Sequence, residues 1–214
     1  MLEIRNIEKA YSVTPVLRGL SVTVEPGEPL VVWGPSGSGK TTLLRLIAGL
    51  EVPTTGEILM DGQVVSRRDW MLPPSARQLG FVFQSSALWP HLTVAANIRF
   101  ALHSRPRLEM RRRLEELLER TELEELAGRY PHQISGGEAR RAALARALAS
   151  RPRYLLLDEP LTHLNDDLKE RMLHLIHEYR QQSQACIVYV THDREEAQTV
   201  STRSINLPTA AGSR

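Results

Sequence analysis

Apolar and polar positions alternate in short bursts through the first 65 residues, in LEIRNI, SVTVEP and GEILMDGQVV. Alternation of that period predicts half-buried strands, and Asp61-Gly62 between two of the bursts is a hairpin turn signal. Three later runs are continuous: LVVW (30–33), YLLLD (154–158) and CIVYV (186–190), with FVFQ (81–84) a shorter fourth. Unbroken β-rich runs predict strands buried on both faces, as in a parallel sheet covered by helices. Helical spacing takes over from about Val94 to Ser150, in TVAANIRFAL, the Arg/Glu/Leu segment 107–127 and EARRAALARAL. The parallel strands therefore flank a helical insertion. LPTAAGSR at the end reads as a frayed tail.

Composition changes this picture little. The chain has 214 residues, enough for one α/β domain with an insertion or for two small lobes, and its net charge of +2 argues neither for nor against nucleic acid. RPRLEMRRRLEELLER interleaves its arginines with glutamates and reads as a solvated amphipathic helix. The single cysteine, Cys186, excludes an intrachain disulfide, suits a reducing compartment and sits in an apolar run where packing is its expected role. MLEIRNIEK lacks the organisation of a signal peptide, and no apolar run reaches the ~18 residues of a membrane span. A membrane role would have to come through a partner.

Chemistry enters at GPSGSGKT (34–41), which follows the strand LVVW and precedes the apolar helix TLLRLIAGL. Strand, glycine loop and helix form the context of a phosphate cradle. Gly34, Gly37 and Gly39 let backbone N–H groups approach a nucleotide phosphate, Lys40 reaches the β- and γ-phosphates, and the Thr41 hydroxyl can ligate Mg²⁺. Phosphoryl transfer also needs a second metal contact and a group that orients water. YLLLDEP supplies Asp158 for Mg²⁺ and Glu159 for the water, and CIVYV ends in Thr191-His192-Asp193, which brings His192 to the same sheet edge as a γ-phosphate contact. ISGGEARRAALARALAS (134–150) places Ser135, Gly136 and Gly137 ahead of another helix, a second anion cradle in one chain. His174 and His177 share a helical run but lack a third ligand, and no metal site is assigned to them.

These motifs, in this order, resemble the ATP-binding subunits of ABC transporters from Leu2 to about Val200. GPSGSGKTT resembles the family's P-loop, which adds Pro35, Ser36, Ser38 and Thr42 to the expected nucleotide contacts. FVFQ is similar to its Q-loop, with Gln84 expected to serve both Mg²⁺ and the water, and ISGGE to its signature motif, usually LSGGQ. LLLDEP resembles its metal and catalytic-glutamate motif, VTHD its switch histidine, and Tyr11 stands where the family stacks an aromatic under adenine. The resemblance implies an α/β fold: a P-loop NTPase core with a mostly parallel sheet, an N-terminal antiparallel β subdomain and a helical insertion. It implies a single domain over 1–214, with the core at about 1–84 and 151–214 and the helical part at about 85–150.

It also implies why one chain holds two cradles: two copies pack head to tail, and the signature of one caps the ATP on the P-loop of the other. ATP and Mg²⁺ are then the cofactors, and a second copy and integral membrane permease subunits the partners, with a solute-binding protein acting indirectly. The site of action is the cytoplasmic face of the inner membrane. SSALWPHLTVAANI resembles the surface on which membrane subunits dock, with Trp89 and Leu92 partly exposed there, or else anchoring the loop. YPHQ and LPPSARQLGFVFQSSALWPHLTV are similar to bacterial importers of inorganic ions, polyamines or sugars. The alternatives are an ABC ATPase acting on nucleic acid or ribosomes, whose usual second cassette or coiled-coil insertion is missing here, and an exporter subunit.

Three departures stand out. Thr162-His163-Leu164-Asn165 replaces the usual S-A-L-D, so that Asn165 lacks the interface charge, with Asp166 a possible substitute. Glu138 replaces the signature glutamine, and Trp33 is large for the position before the P-loop. Beyond Val200 the sequence allows one more strand and predicts no separate regulatory domain.

Overall fold

The computed structural model describes residues 1–103 and 105–208. In chain order the strands and helices are β1 (Leu2–Tyr11), β2 (Thr14–Val24), β3 (Leu30–Trp33), α1 (Lys40–Ala48), β4 (Thr55–Met60), β5 (Gln63–Arg67), β6 (Trp70–Met71), β7 (Leu79–Val82), α2 (Val94–Phe100), α3 (Arg107–Arg120), α4 (Gly136–Ala149), β8 (Tyr154–Asp158), α5 (Asp166–Ser183), β9 (Cys186–Val190), α6 (Arg194–Val200) and β10 (Ser204–Asn206). Short 3₁₀ turns lie at Pro74–Ala76, Glu124–Leu126 and Pro131–Gln133.

Two five-stranded sheets form, in the orders β2-β1-β4-β5-β6 and β10-β3-β9-β8-β7. The first is antiparallel throughout. Its β4–β5 hairpin turns at Asp61 and Gly62, both at positive φ (50° and 78°), as a two-residue turn of the mirror-image type requires. The second sheet is parallel throughout. The strand expected after Val200 is β10, at the edge beside β3. The end of the expected tail, from residue 209 on, lies outside the described residues.

The unbroken apolar runs are explained by burial on both faces of the parallel sheet. Val31, Leu155, Leu157, Ile187 and Tyr189 face a core built with α2 to α5. The intervening Leu30, Val32, Leu156, Val188 and Val190 face a second core with α1 and the antiparallel sheet. Cys186 is buried in that second core, as its apolar setting predicts. The helical segment expected over 107–127 stops at Arg120, where the Thr121 hydroxyl bonds the Leu117 carbonyl, and resumes only as a 3₁₀ turn.

One buried charge ties the antiparallel sheet to α1. Arg77 is 2% exposed, and its guanidinium donates to the carbonyls of Leu46, Ile47, Val65 and Leu72 and to the Ser66 hydroxyl. Two of those carbonyls end α1, where a cation also complements the helix dipole. Burial lowers the Arg77 pKa to about 10. It therefore stays charged at neutral pH, held by neutral acceptors. Arg77→Met would strand several buried carbonyls and is expected to cost about 3 kcal/mol of stability. A denaturant midpoint equal to wild type would show that water replaces the guanidinium.

Candidate functional site

The parallel register brings four strand ends to one edge. Val32 pairs with Val190, Asp158 with Val190, and Val82 with Leu157, so residues 33–34, 83–84, 158–159 and 191–192 leave the sheet together. This is the edge where open α/β sheets bind ligands.

The loop after β3 is a cradle. Gly39 caps α1 at φ 95° without any side-chain cap, and no acidic residue lies in the first turn. The first N–H groups of α1 are thus free to meet an anion. A Cβ on Gly39 would sit 2.8 Å from Val16, so the loop closes only with glycine there. Lys40 is 8% exposed, and its ammonium donates to the carbonyls of Gly34 (2.7 Å) and Pro35 (2.9 Å). Ser38 Oγ is buried with no hydrogen-bond partner, an orphan polar atom that a bound group would satisfy. Pro35, Ser36 and Gly37 are exposed, and Thr41 and Thr42 are half-buried.

Across the edge, the Thr41 hydroxyl donates to Asp158 Oδ2 at 2.8 Å, although 117 residues separate them. Asp158 is 2% exposed, and burial pushes its carboxyl above the ordinary value, with the Thr41 hydroxyl opposing; Glu159 pushes the same way as burial, and Lys40 and Arg140 oppose. Glu159 turns the chain at φ 49°, a left-handed conformation unusual for a glutamate, with its N–H on the Val190 carbonyl (3.0 Å). That turn aims its carboxylate at His192, whose Nδ1 lies 3.2 Å from Glu159 Oε1. His192 is otherwise exposed, and Asp193 beside it caps α6.

Two expected residues stand further out. Gln84 is exposed just past β7, and its side chain makes no hydrogen bond among the described residues. Tyr11, at the end of β1, is 45% exposed; its hydroxyl donates to Glu51 (2.5 Å) and lies beside Thr42. Burial, then the Glu51 contact, raises the Tyr11 pKa.

The second cradle is built differently. Ser135 caps α4 in a capping box: its hydroxyl accepts from Glu138 N (3.3 Å), and the Glu138 carboxylate accepts from Ser135 N (2.6 Å). An oxygen that accepts in this way keeps its own hydrogen free to donate outward. Ordinary capping therefore accounts for Ser135 and Glu138, and it also orients the serine as a donor. Ser135 and Gly136 are exposed, whereas a Cβ on Gly137 would meet the His163 carbonyl at 3.2 Å. Among the described residues no hydrogen bond joins 135–137 to 34–42. Asn165, where the S-A-L-D pattern fails, caps α5 through its Oδ1 on Leu168 N (2.9 Å), with Asp166 and Asp167 in the first turn.

Sequence reasoning passed over Arg140. It is buried on α4, donates to the Phe83 carbonyl (3.4 Å) and feels the charges of Glu159 and Asp158. Its only sequence signal was a run of arginines among alanines. His174 lies against Glu178 and His177 against Arg180 on an exposed face of α5.

A P-loop at the edge of a parallel sheet, with a buried carboxylate bonded to its threonine and a second carboxylate beside it, defines the nucleotide-binding class of P-loop NTPases. Within that class the ABC transporter family model matches residues 17–162, and the chain belongs to this family. It is 46% identical over 207 residues to the spermidine/putrescine import ATP-binding protein PotA of Legionella pneumophila (strain Lens), covering 96% of this chain and 56% of that protein. It is 45% identical over 208 residues to the sulfate/thiosulfate import ATP-binding protein CysA of Caulobacter vibrioides, covering 94% and 60%. The chain thus spans a little over half the length of these curated relatives. A solved dimeric ATP-binding cassette, in a post-hydrolysis state bound to ADP and Pi, superposes with a TM-score of 0.88 at 32% identity, over all of this chain and 97% of that one. The two-sheet architecture is that of an ABC cassette.

Proposed function

We propose that the chain binds and hydrolyses ATP to power a membrane importer, as one of two identical copies that sandwich nucleotide head to tail. The observation that carries this is the unequal equipment of the two cradles. The α1 cradle has Lys40, Thr41, Asp158, Glu159 and His192 around it. The α4 cradle offers Ser135 and Gly136 at the surface, with Gly137 partly buried against the His163 carbonyl, and among the described residues its nearest carboxylate, Glu138, is engaged in the capping box. A site with donors but no catalytic group is useful to a phosphate held elsewhere, and a second copy presents one.

In this reading residues 1–84 and 151–214 form the core and 85–150 the helical part. The α1 N–H groups, with Gly34 to Gly39, hold the phosphates, and Lys40 leaves the Gly34 and Pro35 carbonyls for the β- and γ-oxygens. Tyr11 serves the adenine. Thr41 and Asp158, two oxygen donors already in contact, suit Mg²⁺, which takes one or two protein oxygens and completes its shell with phosphate and water; Gln84 joins from its loop. Held by these residues, Mg²⁺ would supply charge neutralisation at the phosphate oxygens. Glu159 orients and polarises the attacking water, and His192 holds the Glu159 carboxylate and offers its exposed edge to the γ-phosphate. Ser135 and the N–H groups of Gly136 and Gly137 stabilise the same phosphate from the partner copy.

The transported solute is chosen elsewhere. Near-equal identity to proteins named for polyamine import and for sulfate import supports this reading, since those solutes carry opposite charges. No helix among the described residues is long and apolar enough to cross a membrane. In this reading permease subunits supply the path, and the chain works at the cytoplasmic face of the inner membrane. Affinity purification after co-expression with the membrane proteins encoded beside its gene is expected to retain a permease pair that stimulates ATP hydrolysis. Recovery of ribosomes or nucleic acid in its place would favour a non-transport ABC ATPase.

A further inference from the structure

Residues 83–93 join β7 to α2 without regular structure of their own, yet they carry Gln84. Their backbone is held by side chains from two helices. Asn97, fully buried on α2, accepts from Trp89 N (2.8 Å) and donates to the carbonyls of Leu92 (3.0 Å) and Thr93 (3.1 Å). Arg146, on α4, donates to the carbonyls of Ala87 (2.9 Å) and Ser86 (3.4 Å), and its guanidinium lies 5.0 Å from the centre of the Trp89 ring. Arg140, on the same helix, reaches the Phe83 carbonyl. Gln84 therefore lies between carbonyls gripped from α4 on either side.

Arg146 is half-buried, and its two bonds to the loop, at 2.9 and 3.4 Å, hold the guanidinium against it. Burial lowers its pKa, and no carboxylate offsets that cost. Its charge is compensated by loop carbonyls and the face of Trp89, so the guanidinium and the loop fix each other. Lysine cannot reproduce this, because one ammonium lacks the planar fork that meets two carbonyls while stacking on a ring. The other end of α4 is Ser135, and a helix of fourteen residues spans about 21 Å as a rigid rod.

We infer that Arg146 is a positioning residue: by holding the Ser86 and Ala87 carbonyls and the face of Trp89, it makes the Gln84 segment move with α4. The consequence for turnover rests on the function proposed above, whereas the grip itself does not. Gln84 would then be set for hydrolysis when the α4 N-terminus engages the partner's nucleotide, and Arg146 would matter more to kcat than to nucleotide affinity.

The test uses the full chain with Trp33→Phe and Trp70→Phe, which leaves Trp89 the only tryptophan of the three. Acrylamide quenching of Trp89 is measured without nucleotide, and ATP turnover is measured as separate kcat and KM. Arg146→Gln is expected to raise the quenching constant about twofold or more and to lower kcat about tenfold, with KM for ATP within about twofold. Arg146→Lys should fall between. A merely structural role would lower the melting temperature and leave kcat per folded molecule unchanged. Unchanged quenching, or unchanged kcat, in folded Arg146→Gln overturns the inference; if that variant does not fold, the same two readings on Arg146→Lys decide it. A parent protein that hydrolyses no ATP would refute the proposed function, and the quenching arm would still decide the grip.

Discussion

Glu159→Gln is expected to lower kcat for ATP hydrolysis by ~10²-fold or more while leaving ATP and Mg²⁺ binding intact. The substitution is nearly isosteric and keeps an oxygen in reach of His192 Nδ1, now 3.2 Å away. The unusual backbone at φ 49° is set by the strand end and the bond from Glu159 N to Val190, neither of which the side chain makes. Lys40, Thr41 and Asp158 are untouched, so the residues proposed to hold the phosphates and Mg²⁺ keep their contacts. What is lost is the anionic acceptor that polarises water. ATP should then persist between two copies, and the variant should elute as an ATP-dependent dimer in gel filtration. Hydrolysis at the wild-type rate would remove Glu159 from the catalytic role.

Much of the parallel core was legible in the sequence because its strands announce themselves. LVVW, YLLLD and CIVYV became β3, β8 and β9, and each of them ends at the edge where Gly34, Asp158 and His192 were expected. The strand in FVFQ was misplaced by two residues, since β7 begins at Leu79 and ends at Val82, and Phe83-Gln84 already belongs to the loop. Contacts between distant side chains left less trace. Nothing in the order of residues says that Arg77 ends α1, that Arg140 feels the Asp158-Glu159 pair, or that Arg146 grips the loop before α2. Arginines in an alanine-rich helix read as solvated charge until the fold supplies carbonyls for them. Glu138 and Asn165 each make a local capping bond, but the usual glutamine and aspartate would make the same bonds, so the caps leave both departures without a structural explanation. Asn165 to aspartate would preserve that cap, so the missing charge at this turn is separable from its structural work.

Mixing two inactive variants is expected to restore nucleotide-dependent association if, as proposed, the two cradles of one chain serve different ATP molecules. Lys40→Ala removes the buried ammonium that now rests on the Gly34 and Pro35 carbonyls, disabling the P-loop of the copy that carries it. Ser135→Arg places a long cation over an exposed helix N-terminus and blocks the surface that serves the partner's ATP. It also removes the Ser135 cap, at about 1 kcal/mol, so melting temperatures must show both variants folded. Each homodimer then has two crippled sites. In a mixed dimer both lesions meet in one site, and the other joins an intact P-loop to an intact Ser135, Gly136 and Gly137. ATP-driven association should return, with some hydrolysis if one site can fire alone, and the gain should peak near equal ratios because each active site needs one chain of each kind. If the cradles acted within one chain, no ratio would rescue either variant. Folded variants that recover neither association nor turnover on mixing would therefore count against the head-to-tail arrangement, while leaving the α1 cradle and its acidic pair as the place where nucleotide binds.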